Sequence, residues 1–394
     1  MKWKVLNIVI LSACMSIAIA PAHAAKKTTE RFFSDFSIGL GYDSNVYLTP
    51  KASYIDLGQA GNPLVTPNVQ SGLYIPLALE AGYMTTSGIT SKYKFDGAFY
   101  MNSTLSNANT YNHNITLGKN ITFDSGSELY VGLLAGYHKK IYYDRDTGEA
   151  KLSRTSGTNI SNRYTHFDFG GEAIFQKQIN NVKYELNSKL ATLVYNDPIV
   201  IAPLDHNLLE LGVNARFPVF GQTTKLKLGY DFTARDYTNR RARDASGAQR
   251  AANALLTYFY HDLNAQLSWK VSNNLKAFLD VQHVYRIDNF VNYNNYTKDK
   301  VKFRLRYKLS PDAFLRAKVS YSHRKYPNAF AFDNPIAAKK KYDTLTASLK
   351  GEYRISSLGA PALWGKISYL KQDSSDLRYV YNRMKVAAGG SWKY

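Results

Sequence analysis

Val301-Lys302-Phe303-Arg304-Leu305-Arg306-Tyr307-Lys308-Leu309 alternates apolar and basic residues without a break. In an extended strand successive side chains point to opposite faces, so this segment has one apolar and one basic face. The same period recurs along the chain. Phe36, Ile38, Leu40 and Tyr42 form one apolar set, and Leu73, Ile75, Leu77, Leu79, Ala81 and Tyr83 another. Leu129 to Tyr137 and Leu209 to Phe217 repeat it. No comparable stretch carries a 3.6-residue period, and no apolar run near ~20 residues follows the N-terminus, so helical membrane spans are not expected.

The alternating segments resolve into sixteen strands, expected near 36–48, 71–85, 90–105, 111–123, 127–143, 164–178, 182–196, 206–219, 223–237, 256–271, 275–288, 297–309, 313–326, 342–355, 362–371 and 379–393. Links after even-numbered strands are short and built of turn formers: Asp124-Ser125-Gly126, Asn180-Asn181, Ser272-Asn273-Asn274 and Ser310-Pro311-Asp312. Links after odd-numbered strands are usually longer, as at Thr49 to Gln70, Asp144 to Arg163, Thr238 to Leu255 and Pro327 to Lys341. Short turns at one end and long loops at the other are the pattern of a membrane barrel with periplasmic turns and extracellular loops. The expected fold is all-β, a transmembrane antiparallel up-and-down β-barrel of about 16 strands, with roughly 14 to 18 as the range. A soluble β-sandwich also needs apolar faces but has no reason for strands this long or for an even meander. No composition shift divides the chain, so one barrel domain suffices.

The N-terminus points to export. Met1-Lys2-Trp3-Lys4 is basic, Val5 to Ala20 is mostly apolar, and Pro21-Ala22-His23-Ala24 has the small-x-small form of a secretory cleavage site. Cleavage is expected after Ala24, making 1–24 a signal peptide, 25–35 a short periplasmic segment and 36–394 the barrel. Leu11-Ser12-Ala13-Cys14 resembles a lipoprotein cleavage box, but the apolar run continues past Cys14 through Ile19. Cys14 is the only cysteine, and its loss with the signal excludes disulfides, thiolate metal sites and a cysteine nucleophile.

Strand phase locates the charge. The chain carries 50 Lys and Arg against 30 Asp and Glu, a net charge of +20. On the twelfth expected strand Lys302, Arg304, Arg306 and Lys308 face inward. On the thirteenth Arg316, Lys318 and Arg324 do so, opposite in phase to Leu315, Ala317, Val319 and Tyr321. The fourteenth turns Lys350, Glu352 and Arg354 to the lumen, so three neighbouring strands hold nine basic residues and one acidic one. Arg383, Lys385 and Lys393 join from the last strand, whereas Lys92, Lys94 and Asp96, Lys183, Glu185 and Lys189, and Asp168 and Glu172 are more balanced. Such a wall focuses anions, and arginine forks suit carboxylate or phosphate. Pairing with loop carboxylates or with lipopolysaccharide phosphates is the plainer use of these cations, but the loops add Arg240, Arg241, Arg243 and Lys339-Lys340-Lys341. Tyr100, Tyr260, Tyr379 and Tyr381 share the lumenal phase and offer flat faces to sugar rings, or simply fill space. Among the 31 tyrosines and other aromatics, Tyr83, Tyr93, Tyr137, Phe217, Tyr230, Trp269 and Trp392 face outward near strand ends, as interface girdles do.

Signal, amphipathic meander and aromatic end together resemble Gram-negative outer-membrane porins over the whole chain. Gly389, Trp392 and Tyr394 look like the terminal signal read by the barrel-assembly machinery, with tyrosine where phenylalanine is usual. Gly41-Tyr42-Asp43-Ser44-Asn45-Val46-Tyr47 resembles the opening strand of exopolysaccharide-associated β-barrel porins and of surface-lipoprotein assembly barrels, although the helical repeats usual in the latter are missing here.

Catalytic signals are sparse. His113, His138, His166, His206, His261, His283 and His323 fall on separate segments without metal-ligand spacing. A lipid-facing Ser/His hydrolase pair would have to use His261 with Ser268, or His283. No cofactor, metal or catalytic site is expected, and export with the charge inside a barrel argues against nucleic acid. The expectation is an outer-membrane channel, with both barrel termini periplasmic, for passive passage of anionic solutes such as an acidic exopolysaccharide or its oligosaccharides. Its surroundings would be outer-membrane lipid and lipopolysaccharide. The alternative is a non-conducting assembly or secretion barrel, plugged by loops such as Asp144 to Arg163 or Thr238 to Leu255.

Overall fold

Alternating apolar and polar faces close on themselves in the computed structural model, which describes residues 30–153, 157–196, 202–221, 223–355 and 361–393. The expected signal peptide, Cys14 and the terminal Tyr394 lie outside these residues. Strand β1 (Arg31–Asp43) is followed by a small hairpin, β2 (Tyr54–Ile55) with β3 (Leu64–Val65), in the first long loop. Then come β4 (Gly72–Met84), β5 (Ile89–Tyr100), β6 (Thr110–Thr122), β7 (Glu128–Lys140), β8 (His166–Ile179) and β9 (Val182–Tyr195). They are followed by β10 (His206–Val219), β11 (Thr224–Arg241), β12 (Leu255–Lys270), β13 (Leu275–Asp288) and β14 (Tyr296–Lys308). The last four are β15 (Ala313–Phe330), β16 (Lys339–Arg354), β17 (Ala362–Ser374) and β18 (Tyr381–Lys393). Every strand except β2 and β3 pairs antiparallel with its chain neighbour, and β1 closes the ring by pairing with both β4 and β18. The fold is thus a closed 16-strand up-and-down barrel, as the alternation predicts.

Closure removes the edges of the main sheet and sorts its side chains by phase. Ile115, Leu133, Phe167, Leu186, Leu211, Leu263, Val301, Val319 and Ile367 stand on the outer face, with Phe167 60% and Leu263 56% exposed. The outer face is therefore an apolar band with no protein cover. The short turns reverse tightly; Gly126 takes φ +73°, a left-handed value that favours glycine.

Packing is concentrated at the long-loop end, inside the ring. The first strand begins at Arg31 and stops at Asp43, five residues ahead of the expected 36–48 at each end. Asn45 is the physical reason. Its side chain donates to the carbonyls of Thr49 and Asn382 and accepts from the Thr49 N–H, so local bonds replace the ladder and the chain curls inward. Val46 and Tyr47 then pack against Tyr74, Tyr100, Leu105 and Ala387, with Tyr47 wholly buried. Its ring meets Tyr143 at 4.8 Å and lies over Gly148 (φ +78°), where a Cβ would clash at 2.3 Å. The expected third strand, 90–105, stops at Tyr100; a 3-10 turn, Ser103–Ala108, follows, capped by Asn102. In contrast β15 and β16 outrun their expected 313–326 and 342–355, reaching Phe330 and starting at Lys339, with a register shift between Lys325 and Phe330.

Candidate functional site

Inward phase on β12 to β17 assembles a row of cations. Lys270 stands opposite Lys276, Lys276 opposite Arg306, Arg306 opposite Arg316, Arg316 opposite Lys350, and Lys350 opposite Lys366. Directly opposed side chains in an antiparallel pair have Cβ atoms about 4.5–5.5 Å apart, and like charges placed so are destabilising. The row runs close to the short turns 271–274 and 309–312. The one carboxylate ion-paired with it among the described residues is Glu352, 3.4 Å from the Lys350 ammonium. Arg304 and Arg306 lie over the Phe278 ring at 4.8 and 5.2 Å, which orients both forks.

The other sequence-predicted cations have different settings. Arg304 makes a two-point contact with Asp280 on β13, at 3.0 Å for both nitrogens, and Lys302 approaches the same carboxylate at 3.6 Å. Lys318 stands opposite Arg304 without an ion-pair partner among the described residues. Lys308 ends β14, and Arg354 lies over Phe314 at 5.0 Å. Arg383 and Lys385 converge on Asp43, which is wholly buried; Arg383 grips both of its oxygens and Lys385 lies 3.2 Å away. Tyr100 donates to the same carboxylate at 2.5 Å. These two cations hold the β1–β18 seam together and share one carboxylate between them. Lys393 reaches Asp35 at 3.1 Å.

Arg324 belongs to a second feature, at the long-loop end. A cavity of about 280 Å3 lies between Arg145, Arg324, Tyr326, Tyr342, Tyr379 and Tyr381. Arg145, from the loop after β7, lies over Tyr379 at 4.6 Å. Arg324 lies over Tyr296 at 5.0 Å. Nη1 of Arg145 and Nε of Arg324 are buried without a hydrogen-bond acceptor among the described residues. Two such donors on residues that line a polar cavity can be met by an oxygen acceptor, from water or from an anion. The lumenal aromatics form a near-continuous belt here: Tyr258, Tyr260, Tyr296, Tyr326, Tyr342 and Tyr379 follow one another at centroid distances of 5.3 to 6.5 Å. Arg286 lies over Tyr258 and Tyr296 at 4.2 and 4.3 Å.

The loop cations are partly matched. Asp333 receives Lys340 at 2.6 Å and Arg243 at 3.7 Å. Burial works to raise the Asp333 carboxyl, but the Arg243 and Lys340 charges outweigh it and hold the pKa below its ordinary 3.8. Asp144 is alike: burial opposes ionisation, yet the Lys151 contact and the backbone N–H groups of Asp146 and Thr147 hold its pKa down.

Lys270, Lys276 and Lys366 are absent from the sequence-derived set. Lys270 and Lys276 flank a short turn, and Lys366 sits on a strand whose lumenal phase also carries Trp364 and Leu370. The signal that finds Lys276 is the outward set Leu275, Ala277, Leu279 and Val281, which fixes even-numbered residues inward. The imagined hydrolase pair does not form: Ser268 faces the lumen opposite Phe278, whereas His261 faces outward and bonds the Tyr230 hydroxyl at 2.7 Å.

No family model matches the chain, and no curated protein matches it. Among solved structures it is similar to outer-membrane-expressed OmpT of Vibrio cholerae, at 10% identity and TM-score 0.45, over 95% of this chain and 100% of that one. It is similar also to the loop L8 deletion mutant of that protein, at 11% identity and TM-score 0.44, over 94% and 100%. A mutant of the Rh. blastica porin follows at 11% identity and TM-score 0.36, over 93% and 100%. Likeness at this level carries no argument about solute, activity or partner.

Proposed function

We propose that the protein is an outer-membrane channel whose electropositive lumen passes anionic solutes, with an acidic exopolysaccharide or its oligosaccharides as the cargo. A closed barrel with an uncovered apolar band satisfies its backbone internally and buries its outer face only in lipid. The short-turn end, where β1 starts and β18 ends, is read as the periplasmic end.

The carrying observation is the row of six cations, Lys270, Lys276, Arg306, Arg316, Lys350 and Lys366. Two unit charges about 5 Å apart repel by about 3 kcal/mol at an effective dielectric of ~20, and less where lumen water and salt screen them. A passing carboxylate, sulfate or phosphate offsets that repulsion across several side chains at once. The row stands at the mouth where a periplasmic solute would enter, and the arginine and tyrosine cavity stands near the exit. Tyrosine faces suit sugar rings, and arginine forks suit the acidic groups carried on them.

The test is current blockade in planar bilayers. Acidic oligouronates are expected to interrupt the open current at concentrations where neutral dextrins of equal length do not, and R306E/R316E/K350E is expected to lose that difference. Equal blockade by both sugars would overturn the reading. A second reading, the non-conducting assembly barrel, is favoured by the burial of Tyr47, Tyr143 and Arg145 under loops that fold into the long-loop mouth. Absence of stable current, together with a dedicated protein recovered by crosslinking, would select it.

A further inference from the structure

Strands β7 and β8 place His138 directly opposite His166, and Asp168 opposite Gly136. His166 and Asp168 are two residues apart on one strand, so all three side chains share the lumenal face. One ligand atom from each of them lies within 4.8 Å of the others. The His138 and His166 rings lie 4.6 Å apart and 19° from parallel, and Tyr195 stacks on His166 at 4.5 Å.

Both rings have their Nδ1 engaged by a carbonyl-type oxygen. Asn112 donates its amide to Asp96 at 2.7 Å, which turns its oxygen toward His138 Nδ1 at 2.9 Å. His166 Nδ1 meets the Tyr164 carbonyl at 3.2 Å. Each Nδ1 therefore carries a hydrogen, so in the neutral ring it is Nε2 that presents the lone pair. His138 Nε2 lies 2.8 Å from Asp168 Oδ1, a contact of two acceptors unless a proton or a cation sits between them. Both side chains lie close over Gly136, where a Cβ would meet Asp168 Oδ1 at 2.2 Å and His138 Nε2 at 2.8 Å.

We propose that His138, His166 and Asp168 form a lumenal site for a divalent first-row transition metal, Zn2+ above all. Two imidazole nitrogens and one carboxylate, with the far nitrogens held by oxygen acceptors, are the donor set and outer shell that such ions take. Tetrahedral binding at about 2.0–2.2 Å sets ligand atoms ~3.3 Å apart, so His138 Nε2 and Asp168 Oδ1 part slightly and His166 closes in, by side-chain rotation on fixed strands. Three protein ligands leave a position open to water or to an oxygen of an anionic solute. The site stands at the long-loop end, on the wall across the ring from β15 and β16, and does not rest on the channel reading.

The experiment uses the full chain folded in detergent and stripped with chelator. Co2+ titration should give one saturable site with visible d–d absorption that Zn2+ displaces. H166A and D168A should abolish that absorption. N112A, which frees His138 Nδ1 and the Asp96 carboxylate but removes no ligand, should weaken affinity by ~10- to 100-fold. Unchanged absorption in an H138A/H166A chain, or no saturable binding at all, would overturn the site and leave the His138–Asp168 contact as a plain ion pair. The unaltered chain supplies a check that no folding defect can confuse. Zn2+ should protect His138 and His166 from diethylpyrocarbonate while outward-facing His283 still reacts, and failure to protect them would equally overturn it.

Discussion

The two walls of the lumen follow the same pairing rules and use charge in opposite ways. On β8 to β10, Glu172 stands opposite Lys189 and Lys189 opposite Glu210, so charges alternate in sign across the sheet. Nearby, Glu185 accepts from Gln176 at 2.8 Å and from Asn214 at 3.3 Å. On β12 to β17 the corresponding row is cationic throughout. The alternating wall shows that a polar lumen of this barrel can be built without electrostatic cost. The cationic row is therefore a feature that stability alone does not ask for, which supports the proposed passage of anions.

The contrast breaks most visibly under charge reversal. R306E/R316E/K350E gives β14 to β16 acidic residues in the same register, and selectivity measured in planar bilayers should turn from anions to cations. A variant that keeps its anion preference would place the selective element elsewhere. Next in size is the loop latch. Arg145→Ala removes the guanidinium from Tyr379 and Tyr381, so mean conductance should rise and short closures should become rarer in single-channel records.

Acid should loosen the same loops. Asp144 and Asp333 have pKa values depressed below 3.8, so their contribution to loop stability is complete above that value and is lost as pH falls through the lowered ones. Conductance should hold steady from neutral pH down to about 3.8 and rise below it, while a flat profile would dissociate these carboxylates from the mouth. The smallest effects are on stability. Arg316→Gln relieves two like-charged contacts and should stabilise the barrel by roughly 0.5–2 kcal/mol at low salt. Lys189→Gln removes two opposite-charged ones and should destabilise it by a similar amount. Urea unfolding at low and high salt checks both, and equal signs for the two variants would erase the distinction between the walls.

Much of this was legible in the chain because a period of two maps each residue to one face. Val301 to Leu309 fixes the phase of β14, and phase alone puts Arg306, Arg316 and Lys350 inside. Opposition across strands was not legible, since it depends on register set by distant turns. Asp280 answers Arg304 from β13, and Asp43 gathers Arg383 and Lys385 from the far end of the chain. Asn45, Val46 and Tyr47 kept the composition of a strand while side-chain bonds to Thr49 turned them into a lumenal loop. His138 and His166 are far apart in sequence, so spacing rules for metal ligands do not reach them; hairpin-linked pairing of β7 with β8 does.

The most direct test of the account is the zero-current potential of the unaltered protein in a planar bilayer under a potassium chloride gradient. An electropositive lumen predicts a potential of the sign set by chloride, shrinking as ionic strength rises and the row is screened. A potential of the sign set by potassium would contradict it.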